Sequence, residues 1–399
     1  MKDLLQTASF KKASAFIDGD YDRFVRELVT LTEIPAPPFK EGTKAKAFSG
    51  MLRDVGLSDV ELDAEGNVLG LRKGKGRGLL AVLAHLDTVF PEGTDVKVKR
   101  DGTKLLAPGV SDDSRGLAVM LAAIRAMSAA GIETDADLLF VGNVGEEGEG
   151  DLRGVRYLFD KGKYKDQITA FLSIDGTSDG TGDGRIVNGA LGSKRYRVTF
   201  KGPGGHSYNA FGLVSPAFAM ADAIHRLGTL KVPERPKTTF NVGVVSGGTS
   251  VNSIPVETSM DVDVRSESRA ELDKLSAAFA TMVRDAVEAE NKTRSTAQGR
   301  LTADVQLIGD RPSGETSIES PLIQKVSATM RAFGMKPSYR IQSTDANIAI
   351  SRNIPAATIG HGGIGGRVHS LDEWTDVEKT SSVHGTTLIL ATIVSLAMD

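Results

Sequence analysis

Four runs of continuous apolar residues, each followed closely by a histidine or an acid, limit what this 399-residue chain can fold into. They are GLLAVLAHLDTVF, DADLLFVGNVGEEG, ITAFLSIDG and IPAATIGHGG. A strand with one wet face alternates apolar and polar residues. An unbroken run of Leu, Val, Ala and Ile predicts instead a strand covered on both faces. Helical patterns stand beside these runs. YDRFVRELVTLT, residues 21–32, is amphipathic, and SDDSRGLAVMLAAIRAMSAAG reads as an acidic loop feeding a helix that stops at Gly131. Strands alternating with helices predict an α/β domain, its mostly parallel mixed sheet flanked by helices.

The texture changes from residue 192. SKRYRVTFKG alternates like a half-exposed strand, and VSPAFAMADAIHRLG is helical. TTFNVGVVSGG and ETSMDVDVRSE are two further strands, ELDKLSAAFATMVRDAVEAENK a long helix, and LTADVQLIGD a last strand. Strand-helix-strand-strand-helix-strand is the order of a ferredoxin-like α+β unit. The expected organisation is a large domain of residues 1–191 and 310–399 with a small domain, 192–309, inserted in it.

Composition removes several classes. With no cysteine, disulfides, thiol nucleophiles and thiolate metal sites are excluded. The balance of 51 acidic against 48 basic residues gives no footprint for nucleic acid or an anionic membrane. The charged N-terminus has no apolar core of a secretory signal, and TTLILATIVSLAM is too short to span a bilayer, so a cytoplasmic location is expected. No G-x-S-x-G elbow or P-loop occurs. IDGDYDR imitates a calcium loop until Arg23 takes the glycine position.

Ligands of open parallel sheets bind beyond the carboxyl ends of the strands. There the sequence places His85 and Asp87, Glu146 and Glu147, Asp175, and His361 with nearby His369, while Asp112 and Asp113 precede a helix. Singly, each has a plain structural reading: a polar strand end, a helix N-cap, a solvated turn. His225 and His384, inside helical patterns, read as structural. Together, acids and imidazoles gathered at one sheet edge suit divalent zinc, manganese or cobalt, whose charge makes adjacent carboxylates tolerable. His85 and Asp87, two apart on a strand, share a face, so Asp87 is expected to orient His85. The glycines of GGIGG, Gly363 among them, are expected to let backbone N–H groups approach a substrate carboxylate.

In order, AHLDTV, GVSDDSRG, GEEGEGDLRG, SIDGT, KGPGGHS, STDAN and HSLDEW resemble the di-metal exopeptidase and amidohydrolase family. That family includes peptidase T, glutamate carboxypeptidase, aminoacylase and succinyl-diaminopimelate desuccinylase, and STDAN and HSLDEW point to its peptidase T-like branch. The likeness covers nearly the whole chain. It implies two divalent cations, zinc first and cobalt or manganese as alternatives. His85 and Asp175 would hold one, Glu147 and His369 the other, and Asp112 both. Glu146 would be general base and acid, and the Asp112–Asp113 peptide bond would be cis. His206, Asn252 and Arg265 of the small domain would contact substrate, the first two from the partner subunit of a homodimer. The implied activity is hydrolysis of an amide bond in a small peptide or N-acyl amino acid. Alternatives are another C–N hydrolase (carbamoyl, amidino or aromatic amine) and a non-catalytic metal- or peptide-binding protein. The likeness departs at Ser114-Arg115, where Lys-Gly is frequent, and at Asp175, where some members carry Glu.

Overall fold

A computed structural model describes residues 1–176 and 184–398. The chain divides into two compact units, Met1–Ala190 with Glu315–Asp399, and Leu191–Gly314.

The first unit is built on a nine-stranded sheet. At its centre, Leu79–His85 runs parallel to both Asp137–Asn143 and Ile168–Asp175, and Ala356–Gly360 runs parallel to the far side of Ile168–Asp175. Two antiparallel strands, Val68–Arg72 and then Ser58–Leu62, extend the edge beyond Asp137–Asn143. The unbroken apolar runs are explained by burial on two faces. Leu80, Val82 and Ala84 enter one core cluster, and Leu79, Ala81 and Leu83 the other, which is the period-two alternation of a strand. The first cluster is closed by the helices Ala8–Gly19, Tyr21–Thr32, Ser114–Ala130, Pro321–Ala332 and Lys379–Leu396. Arg153–Asp160 and Ala346–Ser351 cover the other face. The helix Ser114–Ala130 stops at Gly131, whose φ of 63° is left-handed. The apolar C-terminal run lies in Lys379–Leu396 and is buried from Gly385 to Val394. Among the described residues no helix is long and apolar enough to cross a membrane.

A smaller sheet of the same unit pairs Ile364–Gly366, Trp374–Asp376, Lys104–Leu106 and Lys99–Asp101. It pins the segment from His361 to Asp376 beside the one that leads into Asp112.

The second unit is a four-stranded antiparallel sheet in the order Thr238–Gly247, Glu257–Ser266, Gly192–Lys201, Thr302–Arg311. The helices Pro216–Gly228 and Arg269–Thr293 share a core with it that includes Phe200, Met260, Val264, Ala223 and Phe279. Gly192–Lys201 pairs on both sides. Among the described residues the outer strands of this sheet are Thr238–Gly247 and Thr302–Arg311, which expose Val244, Val245 and Leu307.

Candidate metal centre

Parallel strands that start in register also end in register, and here that alignment assembles the site. His85 and Asp175 are the last residues of their strands, and His85 stands opposite Asn143, three residues before Glu146. Gly360, opposite Asp175, leads directly to His361.

Two triads of donor atoms lie within 4.8 Å of one another: His85, Asp112 and Asp175, and Asp112, Glu147 and His369. Asp112 belongs to both. Its Oδ1 lies 2.9 Å from His85 Nε2, and its Oδ2 lies 3.2 Å from His369 Nε2. His369 Nε2 is also 2.8 Å from Glu147 Oε1. His369 sits at φ 65°, a conformation that a non-glycine residue holds at a cost. A third group, His85 with Glu146 and Glu147, satisfies the same distance test.

The surroundings fix orientation. His85 Nδ1 lies 3.0 Å from the Asp87 carbonyl oxygen, which can only accept. That nitrogen carries the proton and Nε2 is the donor atom. The Asp87 carboxylate stands 3.8 Å from Nδ1 and accepts the N–H groups of Glu146 and Glu147 at 3.0 and 2.7 Å. Asp87 therefore orients His85 through its backbone and clasps the turn of the glutamates with its side chain. Gly145, at φ 68°, opens that turn. Asp113 caps the helix Ser114–Ala130 through Gly116 N–H and accepts the N–H of His85 at 3.2 Å. The Asp112–Asp113 peptide bond is cis.

The electrostatics are those of anions crowded out of water. Burial, followed by the neighbouring acids, holds Asp175 and Asp113 well above the usual carboxylate range. Burial and Glu146 push Asp345 up to about 8. The imidazoles respond in kind. Hydrogen bonds to Asp112 and Glu147 push His369 up to about 11. Burial would lower His85, but Asp112 and the acids behind it hold it well above its ordinary value. Acids that suppress one another's ionisation, with imidazole nitrogens between them and no thiolate, are a donor set that fits divalent cations.

Glu373 and Asp345 carried no sequence signal that assigned them a role, whereas His361 stood among the strand-end candidates. Glu373 of HSLDEW is buried and accepts the N–H groups of Ser111, Asp112 and Gly109 at 2.8, 2.9 and 3.2 Å, holding the bridging turn. Burial and Asp112 push it up to about 7. Asp345 of STDAN accepts from Asn143 Nδ2 at 2.8 Å. His361, fully enclosed, is not in any of the donor groups. Its Nε2 is 3.0 Å from Ser111 Oγ, and its Nδ1 accepts the N–H of Gly363 at 3.2 Å. Gly363 is thus engaged internally, and a Cβ on it would meet Arg115 Cζ at 2.0 Å. This glycine makes room for a buried guanidinium.

The small-domain candidates lie in the second unit. His206 pairs with Ser253 in a two-stranded ladder, and Ser207 N–H donates to the Asn252 carbonyl at 2.9 Å, so His206 and Asn252 are neighbours. His206 Nδ1 accepts the N–H of Tyr208 at 3.2 Å, which leaves the proton on Nε2. Arg265 donates to Asp263 Oδ2 at 2.6 Å.

Known proteins resemble this chain in sequence and in fold. Carboxypeptidase G2 of Pseudomonas is 28% identical over 203 residues, 50% of this chain and 47% of that one. The chain spans about half or less of the length of the curated relatives it matches. The structure of aminopeptidase PepT from Bacillus cereus has a TM-score of 0.73 at 22% identity, covering 94% of this chain and 99% of that one. A dinuclear metal-binding peptidase from Bacillus subtilis has a TM-score of 0.69 at 17% identity, covering 95% and 99%. Both share the fold. The model of peptidase family M20/M25/M40 matches residues 81–395, most of the chain and nearly every residue of the centre described above. The chain belongs to peptidase family M20/M25/M40.

Proposed function

We propose that this chain is a metal-dependent hydrolase of an amide bond in a small peptide or N-acyl amino acid, of the peptidase T-like kind. The observation that carries the reading is the pair of donor triads sharing Asp112, with Glu146 held beside Glu147 by the same Asp87 carboxylate. His85 and Asp175 would hold one divalent cation, Glu147 and His369 the other, and Asp112 both. Zinc is the first candidate, with cobalt or manganese suited to the same donors. When bound, such a pair polarises a carbonyl oxygen and acidifies water. The chain's own groups do the rest. Glu146 takes the proton of the attacking water and delivers it to the leaving amine. His206 donates through Nε2–H to the developing oxyanion. Asn252 and Arg265 position the substrate, Arg265 by its charge on a carboxylate. Asp87 keeps the glutamates and His85 in register. In this reading the working form is a cytoplasmic homodimer joined through the small domain, with His206 and Asn252 supplied by the partner subunit. The exposed valines of Thr238–Gly247 support such an interface.

Substitution separates the two adjacent glutamates. Glu146→Ala should retain metal by elemental analysis and lose at least about 10²-fold in kcat; near-parental turnover in a metal-replete preparation would sink the assignment. Glu147→Ala should lose bound metal instead. A panel of dipeptides, tripeptides, N-acyl amino acids and carbamoyl compounds with added zinc, cobalt or manganese distinguishes peptidase from other C–N hydrolase. Metal binding without turnover of any of them leaves a binding protein.

A further inference from the structure

The imidazoles of the centre take their charge from the surrounding acids, but another cation lies behind them. Lys44 is carried by the helix Gly42–Asp54 on the same i, i+4, i+8 stripe as Phe48 and Leu52, both fully buried. Its side chain is 1% exposed, and Nζ donates to Ser114 Oγ at 3.0 Å. Ser114 follows Asp112 and Asp113 directly and opens the helix Ser114–Ala130.

The hydroxyl is a neutral partner. That hydroxyl belongs to the residue next to Asp113, and Asp113, Asp87, Glu373 and Asp112 oppose the effect of burial on the ammonium. Burial draws its pKa down to about 8, which still leaves it charged at neutral pH. A lysine is costly on an apolar stripe, where leucine or methionine would pack without loss of hydration. Those acids offset part of that cost, and they are the framework of the site. Asp87 clasps the glutamate turn, Asp113 holds the His85 backbone, and Glu373 holds the Asp112 turn.

We propose that Lys44 is a resident cation of the metal centre: its charge holds Asp87, Asp113 and Glu373 in place when divalent ions are absent, and weakens the binding of those ions when they are present. Both effects come from one Coulomb interaction, attractive toward the carboxylates and repulsive toward the ions. Lys44 is a positioning residue. Its role rests on the metal-site reading above and adds a control on affinity that the ligands alone do not supply.

The test is Lys44→Met, which keeps the length of the side chain and removes its charge. Competition with a chromophoric chelator for zinc at pH 7 should show affinity tightened by roughly tenfold or more. The melting temperature of the metal-stripped variant should fall further than that of the zinc-loaded one. Ser114→Ala, which removes the hydrogen bond and leaves the charge, should keep zinc affinity within about twofold of the parent. Unchanged or weaker zinc affinity in Lys44→Met overturns the proposal, as does an equal loss of melting temperature in both states, the mark of packing alone. If Lys44→Met does not fold, the double variant Lys44→Met/Glu373→Gln removes one anion with the cation and should restore folding. Failure of both also overturns it. A parent protein that binds no zinc sinks the metal-site reading itself. A parent whose zinc affinity is indifferent to residue 44 sinks only this one.

Discussion

Asp112 meets an imidazole at each of its two oxygens, whereas the adjacent Asp113 faces a helix N-terminus and the backbone of His85. Two adjacent identical residues acquire different work because the chain turns between them. The same holds for Glu146 and Glu147. His361 shows the converse, a histidine beside the ligands kept neutral. Its Nδ1 accepts from Gly363, and burial together with Arg115 draws its pKa down to about 3. The unfolded imidazole titrates at its ordinary value, so His361 contributes stability in full above about pH 6.5 and loses it as pH falls toward 3. Urea unfolding of metal-stripped protein should show His361→Gln losing about 2 kcal/mol less than the parent between pH 7 and pH 5. Equal losses in the two proteins would remove His361 from the account. The candidates His85, Glu146, Glu147 and Asp175 were legible because each stands at or just beyond the end of an apolar run, whereas their separate roles came only from the resemblance. Lys44, Asp345 and Glu373 were not, because burial of a charged side chain depends on what packs over it. The one hint was spacing: Lys44 stands on the stripe of Phe48 and Leu52.

At the scale of elements, unbroken apolar runs predicted strands covered on both faces, and Leu79–Ala84 sends alternate residues into two cores. Edges were less legible. Gly192–Lys201 has the half-exposed face that its alternation predicts, but its pairing on both edges is set by its partners. Packing also decides what the glycine loop does within the fold. Gly363 lacks a Cβ because Arg115 occupies that space, donating to Thr375 and Ser382. Arg115 is held on several sides, so the guanidinium cannot swing away cheaply. Gly363→Ala should cost about 3 kcal/mol and lower the melting temperature by several degrees, whether or not metal is bound. A melting curve that overlays the parent's would refute the close-approach account.

At the scale of the whole molecule, the second unit carries the substrate-contacting residues of the proposed function. His206 and Asn252 are brought together by their own small ladder, a property of the second unit alone. If His206 acts across subunits, His206→Ala and Glu146→Ala proteins should each be inactive, while subunit exchange between them should recover roughly a quarter of parental activity, one working site in each mixed dimer. No recovery after verified exchange would place His206 within its own chain's site.

The sequence by itself determined the elements, their α/β and ferredoxin-like classes, and the acids and histidines at strand ends, because period and strand-end position are local properties. It also carried, through ordered motifs, a resemblance to the family that the comparison establishes. Only the tertiary structure shows that Asp112 meets both His85 and His369, as the resemblance implied, that Asp87 clasps the glutamate turn, and that a buried lysine donates to Ser114. Those are distances between segments far apart in the chain, and they exist only once parallel strands of matched register have brought their ends together.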